Sequence, residues 1–526
     1  MDYKMRTLTI LLLIFFQTFL VAQTTFFNAL GGTNAEFGTS SIQSSTGDFF
    51  IVGSTQSLGS GSSDIYIVKM DQNSNVIWKK TYGSSLYEAA SFSVESSDSG
   101  VVVAGYRGSG PGFYDFLLLK VDLNGNLLWN KTYGIAGGDE LCSSVEITND
   151  NGYILTGQTN SMGAGYSDIY IVKTDSVGNL LQSKVIGEVS SDVGYCIKKT
   201  TNNGYIICGT TFSFVNSSEG FLMKLDSALN ITWSRRIGGM YSDQLYSIEQ
   251  TSDGGFIMVG QTLSFGIGQN EVMLVKTDFW GNITWIKFYG GIKQDYGYCV
   301  HETNDNGYIV SGSTLSFISG GENIYYFKTD WNGNLLWSKV LHGVGSDQAL
   351  DIKQNSLGGY YITGKTYSYG SGNNDIVFIK TDGLGNFQCL SGNAPTAVNS
   401  ATISSYAITF TSATGATTST PLMTSNDGGY QMDVCSQIGI NDVEVKNTIQ
   451  LYPNPNSGNF TISSKNNILK VEIFNSAGQC IFSKEQVNNN IIDIKVGDQF
   501  VSSGIYLCKI LSNDNNYIIK HFNIVK

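Results

Sequence analysis

Between residues 26 and 390 the chain repeats itself seven times, and a repeat of this length restricts the fold before any single residue is interpreted. Three markers keep register. Lys-x-Asp recurs at Lys69, Lys120, Lys173, Lys224, Lys276, Lys328 and Lys380, at spacings of 51, 53, 51, 52, 52 and 52. A glycine closes a short apolar run at Gly53, Gly105, Gly157, Gly209, Gly260, Gly312 and Gly364. A tryptophan follows at 78, 129, 233, 285 and 337, with Phe26 and Gln182 in its place in the other two copies. Within one copy the apolar runs 127–133, 141–148, 153–157 and 168–173 are each bounded by Gly, Asn, Asp or Ser and carry no helical period.

Four short antiparallel strands per copy predict an all-β fold: a seven-bladed β-propeller of four-stranded blades over 23–390. An open solenoid is the competing architecture, but solenoid repeats are shorter and need atypical ends, whereas the first copy keeps every marker. Residues 385–389 begin an eighth copy of the first strand, which either joins the first blade or leaves the ring. The 61 glycines and 5 prolines suit many tight turns and few broken ladders.

The turn Asp-x-x-Gly-Asn recurs from Asp122, Asp278, Asp330 and Asp382. It reads as a hairpin turn, in which Asp bonds its own backbone; a calcium loop needs about six oxygens and a closing Glu that is missing. An acid stands about ten residues after each Trp place: Glu36, Glu88, Asp139, Asp192, Asp243, Asp295 and Asp347. Because all seven copies have it, the expectation is a structural acidic ring, with a charged mouth as the alternative. A second acid, at Asp64, Asp115, Asp168, Glu219, Glu271 and Asp375, with Asn323 in the remaining copy, reads the same way.

Ligand contacts are sought where the copies differ. The loops holding Arg107, Tyr114, Phe212, Phe214, Tyr367 and Tyr369 are aromatic and polar, which suits stacking on a sugar; turn packing is the alternative. No catalytic set, metal site or cofactor motif is visible. The three histidines, at 301, 342 and 521, are too scattered for a His-based zinc site or triad. A formal net charge of −12 without a basic stripe excludes a nucleic-acid partner. Among eight cysteines, Cys389 with Cys435 is the best disulfide candidate; Cys196 and Cys208 face each other across a hairpin, and Cys480 and Cys508 are a third pair.

Residues 1–22 read as an export signal: Lys4 and Arg6, an apolar run over 8–20, and Ala22 before Gln23. The run is shorter than the ~20 residues that span a bilayer, and no later segment could cross as a helix. Residues 391–445 turn to Ser, Thr, Ala and Gly and read as a linker, with room for a few weak strands.

The last stretch, 446–526, alternates like a small Ig-like β-sandwich. It carries Tyr452-Pro453-Asn454-Pro455 with Gly458, a turn at Gly478, and Gly504-Ile-Tyr506. These motifs resemble the type A C-terminal sorting domain of the type IX secretion system of Bacteroidetes-type bacteria. The resemblance implies handling by that machinery, passage across the outer membrane, and release or surface attachment after the tail is removed. In such bacteria Asp-Ser-apolar triplets are glycan acceptors, and Asp175-Ser176-Val177 and Asp226-Ser227-Ala228 match. The expected role is an exported binding or adhesion module for a glycan or surface protein. A secreted polysaccharide hydrolase or lyase, and a structural surface component, are the alternatives.

Overall fold

The computed structural model describes residues 24–110, 112–214, 217–370, 373–387, 391–400, 406–407, 411–413, 417–419, 423–427, 430–433, 450–452, 459–475, 480–496, 504–512 and 517–524. The expected signal at 1–22, Cys389, Cys435, Pro453, Asn454, Pro455, Gly458 and Gly478 lie outside them. The chain divides into two units, 1–436 and 437–526.

The described residues of the first unit are all-β. They form seven antiparallel sheets of the same make, numbered here I to VII. Sheet I runs Glu36–Gln43, Phe49–Thr55, Asp64–Met70, Val76–Gly83. Sheets II to VI repeat that order from Glu88, Glu140, Asp192, Asp243 and Asp295. Sheet VII contains Asp347–Gln354, Tyr360–Thr366 and Asp375–Lys380, and its fourth strand is Phe26–Gly31 from the other end of the repeat region.

Sequence copy and sheet are therefore out of phase by one strand. The cause is local. The Asp-x-x-Gly-Asn turn is a tight hairpin, so the strand before it must pair with the Trp strand after it. Asp122 shows the chemistry: Oδ1 accepts the N–H of Asn124 and Asn126, at 2.9 and 2.8 Å, and Oδ2 accepts the Asn126 amide at 2.8 Å. Asp278, Asp330 and Asp382 repeat this pattern. Phe26–Gly31 takes the fourth place of sheet VII, and Phe387 packs edge-on to Phe27, 6.0 Å between ring centres; residues 388–389 of the expected eighth first strand lie outside the described residues.

The centres of the third strands are buried, as in Ile65-Tyr66-Ile67-Val68, because another sheet covers each face. Clusters of these apolar side chains join I to II, II to III, III to IV, IV to V and V to VI. Another cluster joins VII to I through Phe26, Phe49, Tyr66, Tyr361 and Phe378. The tryptophans seat on the turn of the next sheet: Gly125 meets Trp78, Gly281 meets Trp233, and Gly333 meets Trp285. Trp78 Nε1 also donates to the Leu123 carbonyl at 3.0 Å, and Gln182, in a Trp place, donates to Ala228 at 3.0 Å.

The Ser/Thr-rich segment is more than a spacer. From Ser391 to Asp433 it supplies a fifth strand to every sheet, in reverse order from VI down to I and then VII. Ser391–Asn393 pairs with sheet VI, Ala397–Ser400 with V, and so on to Thr424–Asp427 on I and Tyr430–Asp433 on VII. An edge strand needs only backbone N–H and C=O groups to pair, so its sequence lacks the apolar alternation that marks a core strand.

The described residues of the second unit are also all-β. The long strand Asn459–Phe474 pairs with Gln450–Tyr452, Cys480–Lys495 and Gly504–Ser512, and the last of these pairs with Tyr517–Ile524. Alternate residues, including Phe460, Ile462, Val471, Ile473, Ile492, Ile494, Tyr506 and Ile510, form its core. Cys480 and Cys508 sit on strands flanking opposite sides of Asn459–Phe474 and are free thiols. No described helix is long and apolar enough to cross a membrane.

Candidate functional site: a cavity walled by all seven sheets

The first strand of every sheet carries a β-bulge at the same place. Pairing to the second strand skips one residue in each: Thr39, Ser91, Ser143, Tyr195, Tyr246, Tyr298 and Leu350. A bulge leaves its extra residue out of the ladder and re-aims it. All seven of these side chains line one cavity of about 180 Å³.

The marker glycine of each copy makes the bulge possible. A Cβ on Gly157 would lie 2.0 Å from the Leu141 carbonyl oxygen, and one on Gly312 1.7 Å from that of Tyr296. The repeated glycine is thus the mate of a repeated bulge, which is how a scaffold marker comes to position a site.

The cavity is not symmetric. Sheets I to III contribute hydroxyls (Thr39, Ser91, Ser143), and sheets IV to VI contribute tyrosines. Tyr195 and Tyr246 lie 5.2 Å apart between ring centres, and Tyr246 and Tyr298 6.0 Å, all tilted. Tyr298 also stacks on Tyr296 at 6.2 Å.

Charge collects one turn of the pleat further along the same strands. Lys198 pairs with Glu146 at 3.5 Å, His301 Nδ1 with Glu249 at 2.9 Å, and Lys353 with Asp351 at 2.6 Å. Lys198 and Lys353 both stand over the ring of Phe92, at 5.0 and 5.4 Å. Burial works against the charge on His301, but Cys299 and Glu249 outweigh it and push its pKa up to about 10. Burial likewise opposes ionisation of Asp351 and Glu249, yet the cations hold both below the usual carboxylate range: Lys353 and His301 for Asp351, His301 and Lys198 for Glu249. Cys299, His301 and Asp351 each bring one metal-ligating atom to within 4.8 Å of the others.

The residues singled out in the sequence are placed differently. The acidic series is buried at the head of each first strand, but in sheet III the buried acid is Glu140, and Asp139 stands one residue outside it. These carboxylates brace their sheets. Thr55 Oγ1 donates to Glu36 and Thr159 Oγ1 to Glu140, both at 2.7 Å, and Thr262, Thr314 and Thr366 donate to Asp243, Asp295 and Asp347. The backbone N–H groups of Gly32, Gly239 and Gly291 donate to the same acids at 2.7–2.8 Å. Burial raises the pKa of Asp192, Asp243, Asp295 and Asp347. In sheet II Arg107 fills the threonine place and donates to Glu88 at 3.0 Å, so its guanidinium is spent inside the brace.

The aromatic loop residues are not gathered into the cavity. Tyr114 packs edge-on to Tyr87 and Tyr106, Phe214 packs against the core between sheets III and IV, and Tyr369 packs on Phe27. Phe212 and Tyr367 are exposed in loops of sheets IV and VII. Cys196 and Cys208 are opposite one another in register, as their offsets suggest, but both are free buried thiols. The cavity residues were missed because they do not recur. Aligning the seven first strands in columns would have shown that the columns of Tyr195, Cys299 and His301 change chemistry between copies, although the columns of Phe37 and Gln43 vary as well.

Residues 450–525 match the secretion system C-terminal sorting domain family. The tail is a sorting domain. It marks the chain for type IX secretion, to the medium or the cell surface. In this sorting domain Tyr452 lies in the first strand, Gly504 opens the strand that carries Tyr506, and Tyr506 is buried in the core. No curated protein matches the chain. Among solved structures it is similar to a hypothetical protein from Leishmania major, at 13% identity over 50% of this chain and 91% of that one, TM-score 0.27. It is similar to Sqt1 from Chaetomium thermophilum at 11% over 50% and 76%, TM-score 0.30. It is similar to PorZ, a surface component of the type IX secretion system of Porphyromonas gingivalis, at 9% over 95% and 100%, TM-score 0.14. Scores this low add nothing to the functional reading, which rests on the chain's own residues.

Proposed function

We propose that this is an exported binding protein: a closed seven-bladed propeller whose central cavity receives a sugar ring or glycan chain end, delivered to the cell exterior by its sorting domain. The observation that carries the reading is the single cavity to which every sheet gives one bulge residue. Completion of sheet VII by Phe26–Gly31 and its packing on sheet I support closure. Tyrosines on one side and hydroxyls on the other suit the apolar face and polar rim of a pyranose. The cavity is smaller than the ~300 Å³ at which drug-sized pockets begin, which favours one ring over an extended oligosaccharide. The carboxylates beside it are paired to Lys198, His301 and Lys353, which supports binding over acid–base hydrolysis.

A glycan array followed by calorimetry tests this. Tyr246→Ala and Tyr298→Ala should each weaken binding tenfold or more, while Tyr166→Ala, exposed on a loop, should leave it unchanged. Binding indifferent to the cavity tyrosines, or silence across polysaccharides, refutes the ligand assignment. Deleting 450–526 should hold the protein inside the cell envelope, and continued export refutes the role of the tail.

A further inference from the structure

We propose that Cys299, His301 and Asp351 bind a borderline-soft divalent cation of the zinc class between sheets VI and VII, with one coordination position open to the central cavity. The ligand set comes from the repeat itself. Cys299 and Asp351 occupy the same place in neighbouring first strands, 52 residues apart, and His301 lies two residues beyond Cys299 on the same side of its strand.

Each donor atom is already committed the right way. The Asp351 carboxylate uses Oδ2 for support, accepting the Ser41 N–H at 2.8 Å and Lys353 Nζ at 2.6 Å, while Oδ1 faces Cys299 Sγ at 3.5 Å. His301 Nδ1 is held by Glu249, and its Nε2 is buried with no partner. A carboxylate holding the far nitrogen of a histidine is the support that metal-bound imidazoles use, since it fixes the tautomer and the ring plane. An unpartnered buried ring nitrogen costs free energy that a metal bond removes; on binding, Nε2 and the Cys299 thiol each release a proton to solvent, so that the ion takes the place of both.

The donor types select the ion. Thiolate with imidazole and carboxylate suits zinc and its neighbours; calcium and magnesium take oxygen ligands alone. Three protein ligands leave a tetrahedral ion one open position. Cys299 and His301 both line the 180 Å³ cavity, so that position faces it. His301 also lines a second cavity of about 360 Å³ with Lys353 and Gln354, which gives the ion a route in. Charge closes as well: the thiolate, Asp351 and Glu249 are balanced by Lys353 and a divalent ion. Ligand atoms on tetrahedral zinc stand ~3.3–3.8 Å apart, so the set need draw in by only ~1 Å.

The site stands independently of the glycan reading, because it rests on two neighbouring strands. The test uses the full mature chain, stripped with chelator and titrated with Co²⁺, then competed with Zn²⁺. One equivalent of Co²⁺ should bind with a thiolate-to-cobalt charge-transfer absorption. Cys299→Ser should abolish that absorption, and His301→Gln and Asp351→Asn should each weaken binding tenfold or more. Cys196→Ser, in the same column of sheet IV, should change neither. X-ray absorption at the zinc edge of the wild-type chain needs no variant to fold, and should show one sulfur with nitrogen and oxygen. No uptake at micromolar metal, a band that survives Cys299→Ser, or an all-oxygen shell overturns the proposal.

Discussion

The buried acid of sheet III offers the sharpest test of how the repeat is held together. Two adjacent acids compete for the role. Glu140 is fully buried; its carboxylate accepts Thr159 Oγ1 at 2.7 Å, the hydroxyl of Ser161, and the N–H of Ile135 at 3.3 Å. Asp139 is partly exposed and accepts the Tyr114 N–H and the Asn160 amide, each at 3.2 Å. Glu140→Ala removes the acceptor from three donors, at ~1–3 kcal/mol for each buried group left unpaired. Rotating hydroxyls and one long bond lower that sum, giving an expected loss of ~3–5 kcal/mol. Asp139→Ala leaves its donors to water and should cost ~0.5–1 kcal/mol. Glu140→Gln keeps the shape and one acceptor oxygen and should fall between them. Denaturant midpoints of the purified mature chain, converted with a common slope, give the comparison. Equal losses for Glu140→Ala and Asp139→Ala, or the reverse order, would refute the brace.

Three further outcomes are expected. Burial raises the pKa of Asp64 from 3.8 to about 6, against the hydrogen bonds from Gly61 and Ser60. Its folded form therefore prefers the proton: the stabilisation is complete below about 3.8 and is lost as pH rises through about 6. The full linkage is ~3 kcal/mol, reduced by solvent screening to ~1–2 kcal/mol, and the stability gap between wild type and Asp64→Asn should shift by that amount between pH 4 and 7; a constant gap sinks the assignment. Gly333 has φ +71° and its added Cβ would stand 2.9 Å from Trp285, so Gly333→Ala should cost ~1–3 kcal/mol in a thermal or denaturant melt, and a neutral result denies the turn-on-indole contact. Backbone amides in 397–400 should exchange with deuterium slowly in mass spectrometry because that strand is paired to Ile283–Gly290. Exchange at the rate of an unfolded peptide would show that the fifth strand does not form.

Much of the molecule was legible in the sequence because backbone chemistry is local. Asp122, Asn124 and Asn126 make their turn from neighbouring atoms, so the hairpin and the seven-fold count could be read directly. The sorting tail was legible for a different reason: Tyr452, Gly504 and Tyr506 form a specific local pattern. The fifth strands were not legible, since residues such as Ala397–Ser400 pair through backbone alone and carry no apolar rhythm. Nor could one-dimensional spacing show that Glu140, not Asp139, turns inward, because a one-residue step in a strand reverses the face on which a side chain lies.

The sequence by itself determined the all-β repeat, its period, its turns and its export tail, since each rests on residues within a few positions of one another. Only the tertiary structure decided which strand of each copy faces the common cavity and which side chains meet there. Tyr195, Tyr246 and Tyr298, or Cys299, His301 and Asp351, come together because neighbouring sheets set equivalent bulged strands side by side. Contact at a distance of one repeat depends on packing between sheets, and packing has no signature within any single copy.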